Sequence, residues 1–172
     1  MAFDREKRTI TNLYAAFSVS LILSFMPMIE AAGLAALMFA GVLVAAYILR
    51  ARADETSLTC NHATFIIRTI WIASLFAFVT TLIAAGYVIQ NFNPAAIHRC
   101  VDDVAMNMMD LTGLEQAIRP CLDRFIQDNM RVFINGTLIA AAPVVAYILF
   151  RLAKGLPRAM KGHRIGNVRH WF

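Results

Sequence analysis

Thr69-Ile70-Trp71-Ile72-Ala73-Ser74-Leu75-Phe76-Ala77-Phe78-Val79-Thr80-Thr81-Leu82-Ile83-Ala84-Ala85-Gly86-Tyr87-Val88-Ile89-Gln90 contains no charged side chain. As a helix rising ~1.5 Å per residue it is about 33 Å long, enough to cross the ~30 Å hydrocarbon core of a bilayer. Its apolar residues do not alternate with polar ones, which argues against a half-buried strand. Lipid offers no water to the backbone, so a spanning segment must close its hydrogen bonds within itself. Three further stretches have the same character, apart from basic residues at their ends. The spacing therefore predicts four transmembrane helices over 9–29, 31–50, 68–90 and 131–152, an all-α integral membrane bundle.

Composition agrees. The chain has 172 residues, of which 59% are hydrophobic and 16% charged, one membrane domain's worth with too little polar surface to coat a soluble globule. The N-terminal Met1-Ala2-Phe3-Asp4-Arg5-Glu6-Lys7-Arg8 resembles the basic region of a signal peptide. The apolar run behind it exceeds the 7–15 residues typical of such peptides, so the first helix is expected to be retained.

Lys and Arg number three in residues 1–12, three in 50–68, four in 91–131 and six in 151–172. With both termini and the 50–68 loop in the cytoplasm, twelve lie inside and four outside, the orientation that positive charge favours. Residues 91–130 then face the extracytoplasmic side. The first two helices are joined by Met26-Pro27-Met28-Ile29-Glu30, which makes them antiparallel neighbours, and the many Ala and Gly of the second suit close packing. Pro143 is expected to kink the fourth helix.

Ionisable groups within membranes are costly and mark proton relays, voltage sensors and ion paths. No expected span carries one at mid-depth, and His62, His98, His163 and His170 all fall outside the hydrocarbon. Neither a haem between helices nor a carboxylate-bridged metal site is expected. No catalytic residue, cofactor site or metal site is assigned.

Within 91–130, Ile97, Val101, Val104 and Met108 recur at helical spacing, as do Leu114, Ile118, Cys121 and Phe125 beyond Gly113. Two short amphipathic helices forming a hairpin fit this pattern. They would bring Cys100 and Cys121 to facing sides in an oxidising compartment, so a Cys100–Cys121 disulfide is expected; the alternative is two free buried thiols. Cys60, on the cytoplasmic side, should stay reduced.

The tail 153–172 has five basic residues and no acidic one. Anionic lipid, an acidic protein surface and nucleic acid are all possible partners for such a charge. Lipid headgroups are the nearest anions to a segment that leaves a membrane, and Gly155, Pro157, Gly162 and Gly166 argue against a rigid nucleic-acid-binding face. Lys154, Arg158, Lys161, Arg164, Arg169 and Trp171 are therefore read as interfacial anchors, as is Arg68 at the mouth of the third helix.

Two motifs carry a resemblance. Asn61-His62-Ala63-Thr64-Phe65-Ile66-Ile67-Arg68-Thr69-Ile70-Trp71, and Arg151-Leu152-Ala153-Lys154-Gly155-Leu156-Pro157-Arg158 with Gly162, resemble a family of small bacterial membrane proteins. That family is regarded as distantly similar to the channel-associated subunit of the chloroplast inner-envelope import translocon. The resemblance covers roughly residues 10–90 and 131–166. It implies a helical protein of the bacterial inner membrane without established enzymatic activity, and it singles out His62, Arg68, Lys154 and Gly155 as motif positions without assigned chemistry. The functional expectation is a non-enzymatic structural or accessory subunit of a larger membrane complex; an oligomeric channel or transporter component is the alternative.

Overall fold

The computed structural model describes residues 2–26, 28–95, 97–98 and 114–166. Its principal elements are the helices α1 (Ala2–Leu23), α2 (Ile29–Arg52), α3 (Leu58–Asn91), α4 (Leu114–Asp128) and α5 (Met130–Met160). No strand occurs among the described residues. The chain forms two compact units, one of Met1–Phe76 with Val144–Phe172 and one of Ala77–Pro143.

The first unit has the larger core. Ile10, Leu13, Tyr14, Phe17 and Leu21 lie on one stripe of α1 at three- and four-residue spacing and are buried with Val42 and Ala46 of α2. Phe65, Ile66, Ile72 and Ala73 of α3 join them, with Tyr147, Ile148, Leu152 and Ala159 of α5. Aromatic edges meet faces at Phe17–Phe39 and Phe76–Tyr147, with ring centroids 5.6 and 5.2 Å apart, a geometry the ring quadrupoles favour. The outward face of α2 is also apolar, with Leu34, Leu37, Val44 and Ile48 exposed. Large side chains in such numbers are ill-suited to water and suited to lipid.

In the second unit α3 and α5 pack through small and polar residues. The Thr80 hydroxyl donates to the Ala140 carbonyl at 2.8 Å, and Asn135 Nδ2 donates to the Tyr87 hydroxyl at 3.1 Å. A Cβ at Gly136 would stand 2.7 Å from a methyl of Val88, so glycine is what allows these backbones to approach. Of the expected stripe on α4, Cys121 is buried and the Phe125 ring packs edge-on against Phe92 and Phe133.

Asn129, 2% exposed in the turn between α4 and α5, acts as a clamp. Its Oδ1 accepts from Asn93 N at 2.7 Å and its Nδ2 donates to the carbonyls of Asn93 at 3.1 Å and Phe125 at 3.0 Å. Asn129→Ala would strand the Asn93 backbone groups, at about 1–3 kcal/mol. Amide exchange over 91–95 should accelerate in that variant; unchanged exchange would refute the clamp.

The structure corrects several expectations. Among the described residues three helices are long and apolar enough to cross a membrane, Ile29–Arg52, Leu58–Asn91 and Met130–Lys161, and the expected span over 9–29 is not one of them. Asp4, Arg5, Glu6, Lys7 and Arg8 occupy the first turns of α1, and the helix stops at Leu23. The amides of Phe25 and Met26 bond three residues back, to Ile22 and Leu23, which tightens and ends the last turn. The charge-free part of α1 is thus only about 22 Å long at ~1.5 Å per residue.

The other helices outrun their expected limits. The 34 residues of α3 and 31 of α5 correspond to about 51 and 46 Å at ~1.5 Å per residue. The helix α5 continues through Pro143 and through Gly155 and Pro157 to Met160, so the first turns of the expected tail are helical.

Cys60 is a free thiol. Cys100, and with it the expected pairing to Cys121, lies outside the described residues, as do Arg169 and Trp171.

Candidate functional site

The polar side chains of the first unit turn inward at one end of it. The helix α5 ends with the Gly162 amide bonded to the Ala159 carbonyl at 3.0 Å and the His163 amide to the Arg158 carbonyl at 2.8 Å. Gly162 has φ +71°, the left-handed conformation that closes such an end and costs glycine nothing. The ring of Phe3 lies where a Cβ on Gly162 would stand. The chain beyond Gly162 is thereby returned onto the first turns of α3.

There the side chain of Asn61 holds the backbone of Ile165 in both directions. Ile165 N donates to Asn61 Oδ1 at 2.8 Å and Asn61 Nδ2 donates to the Ile165 carbonyl at 3.1 Å. Ile165 itself is buried in the core. His62, completely buried, has one ring nitrogen 3.0 Å from the His163 carbonyl and the other 3.1 Å from the Tyr14 hydroxyl. A carbonyl only accepts, so Nε2 carries the proton, and in the neutral ring Nδ1 then accepts from Tyr14. Both nitrogens are thus committed, and the imidazole joins α1, α3 and the C-terminal segment instead of serving as a free base.

One or two turns further along lies Arg151, 1% exposed. Its Nε donates to the Thr69 hydroxyl at 3.0 Å, and that hydroxyl donates to the Phe65 carbonyl at 2.7 Å. The guanidinium carbon sits 3.6 Å from the centroid of the Phe65 ring and 5.9 Å from that of Tyr147. Aromatic faces offset part of the cost of burying a cation, and the planar guanidinium suits such stacking better than an ammonium would.

The two motifs singled out in the sequence are therefore packed against each other. His62 and Gly155 meet through Tyr14: a Cβ on Gly155 would overlap the Tyr14 hydroxyl and ring. Arg68 is half-buried beside this cluster in sequence. Lys154 is also half-buried, its Nζ 5.9 Å from the Phe150 ring centroid, whereas Arg158, Lys161 and Arg164 are exposed. Asn61, Thr69 and Tyr14 were not singled out from the sequence, and Arg151 only as the end of a span. Asn61 and Thr69 lie within the first motif, but nothing local to them names partners as far as 104 residues away.

Basic residues gather at the same end of the unit. Thr9 and Leu49 line one shallow groove between α1 and α2, which brings Arg5, Lys7 and Arg8 to the end of α2 that carries Arg50 and Arg52. The contact of Phe3 with the Gly162 turn brings Arg158, Lys161 and Arg164 there too. Acidic residues at this end are Asp4, Glu6, Asp54 and Glu55, and residues 151–166 contain none. Among the described residues no three His, Cys, Asp or Glu side chains come together as a metal site. Comparisons with protein-family models, with curated proteins and with solved structures find no match to this chain.

Proposed function

We propose that the protein is a multi-pass component of a bacterial plasma membrane, in which α1, too short in its charge-free part to count as a span by itself, packs back along α2 and so keeps both termini on the cytoplasmic side, with residues 91–130 outside. Within that membrane it serves as a non-enzymatic structural or accessory subunit of a larger complex. The observation that carries this reading is the inversion of polarity in the helices: outward faces are apolar, while His62, Asn61, Thr69 and Arg151 are buried and bonded to other parts of the chain. Every polar group committed to holding helices together is one withheld from chemistry. The gathering of basic residues at one end fits a cytoplasmic face, with Arg158, Lys161 and Arg164 in reach of headgroups. A kinship of residues 10–90 and 131–166 with small bacterial membrane proteins, expected from the two motifs, belongs to the same proposal.

Purification in mild detergent tests the assignment. Co-purification with other subunits at fixed stoichiometry is the expected result. A homo-oligomer that conducts ions or solutes in liposomes would overturn it in favour of the second reading, an oligomeric channel or transporter component. That reading draws on the outward Ala32, Gly33, Ala36, Ala40 and Gly41 of α2, all exposed and of a size that lets helices of separate chains approach.

A Cys100–Cys121 bridge belongs to the same proposal, since it requires the extracytoplasmic placement of 91–130. Alkylation before reduction is expected to modify Cys60 alone; after reduction all three cysteines should react. An equal count in both samples would exclude the bridge.

A further inference from the structure

We infer that the C-terminal segment His163–Ile165 is a latch, closed more firmly when the basic residues around it rest on anionic phospholipid headgroups. The inference rests on the membrane reading above and adds a regulating partner to it.

Three features of the segment suit it to open and close. It is held by few groups: two hydrogen bonds with the Asn61 side chain, one with His62, the bond of the His163 amide to the Arg158 carbonyl beside the Gly162 turn, and the buried Ile165 side chain. The bonds engage its backbone, so the whole segment can lift as a unit about the Gly162 turn. What it covers is polar and already networked, for His62 beneath it also bonds Tyr14 of α1. Lifting the segment would uncover Asn61 and the imidazole and weaken the seat of α1.

Charge supplies the coupling. Arg158, Lys161 and Arg164 are exposed at the end of α5 and on the segment itself, and no acidic residue lies between Arg151 and Gly166 to offset them. Their mutual repulsion, with Arg5, Lys7, Arg8, Arg50 and Arg52 at the same end of the unit and only partly offset by Asp4, Glu6, Asp54 and Glu55 there, opposes the closed state. An anionic surface supplies the countercharge. Arg164 moves with the segment, so a surface that attracts it biases the closed state by differential affinity, the one way a ligand shifts a conformational equilibrium. A single basic residue near such a surface shifts that equilibrium about fivefold.

Amide exchange of the full-length protein, reconstituted in vesicles of phosphatidylcholine alone or with one-third phosphatidylglycerol, tests the latch. Exchange at Ile165 is expected to be about fivefold slower in the anionic vesicles. The Lys161→Gln/Arg164→Gln variant should lose that difference. In Asn61→Ala, exchange should be fast in both vesicles, because the lipid acts through the pinned state. Equal exchange of the unaltered protein in the two vesicles would overturn the proposal. So would equal protection by inorganic phosphate added to neutral vesicles, or protection that persists in Asn61→Ala. Extraction of the protein from native membranes by alkaline carbonate would sink the membrane reading itself, whereas a protein that resists extraction and shows equal exchange sinks the latch alone.

Discussion

Gly155→Ala is expected to destabilise the fold by about 1–3 kcal/mol, the opposite of what this exchange does in most helices. Alanine normally gains about 0.5–1 kcal/mol over glycine there, because the glycine backbone loses more freedom on folding. At Gly155 the added methyl overlaps the Tyr14 hydroxyl and ring. Tyr14 has nowhere to retreat: its ring is 1% exposed, edge-on to the His62 ring at 5.7 Å, and its hydroxyl is bonded to Nδ1. Displacing it costs core packing and leaves a buried histidine nitrogen without its donor. Gly41→Ala and Gly86→Ala supply the internal comparison, since a Cβ at either meets nothing within 4 Å. Both should be neutral or stabilising. Thermal unfolding in one detergent checks all three, and Tyr14→Ala combined with Gly155→Ala should lose less than the two singles added together. Additive losses would show that the glycine is not there to accommodate the tyrosine.

Arg151→Ala is expected to cost about 3 kcal/mol, a loss set by the void left between Phe65, Thr69 and Tyr147. Whether the charge itself stabilises the fold is a separate matter, because desolvating a guanidinium can outweigh what it gains from its partners. Arg151→Met separates the two. Methionine fills similar length without the charge, and if packing dominates it should remain within about 1.5 kcal/mol of the parent. Arg151→Lys keeps the charge but loses both the planar stack on Phe65 and the geometry of the bond to Thr69, so it should be worse than methionine. Unfolding midpoints of the three variants check the order. Lysine outperforming methionine would mean that the buried positive charge, and not the packed guanidinium, is what the first unit needs.

Both variants concern the seam between α1, α3 and α5, and that seam marks the limit of what could be read along the chain. The helices over 31–50, 68–90 and 131–152 were legible because length and hydropathy are local properties, and a charge-free run in lipid has few other ways to satisfy its backbone. Ile118, Cys121 and Phe125 likewise announced an amphipathic face on α4. The run over 9–29 misled because hydropathy does not say where a helix stops, and α1 turns at Leu23 with its first turns already charged. The tail misled in a related way: Gly155 and Pro157 are poor helix formers, yet packing keeps them in α5.

Local sequence established that this protein is helical, apolar enough for a bilayer and basic towards one end. Tertiary structure alone decided that the histidine would be a connector, that Asn61 and Asn129 would clamp remote backbone, and that Arg151 would lie buried on an aromatic ring. The reason is physical: helix formation and partition into lipid follow from each segment's own composition. The partner of a buried donor depends on which residues, up to a hundred positions away, the fold brings within about 3 Å of it.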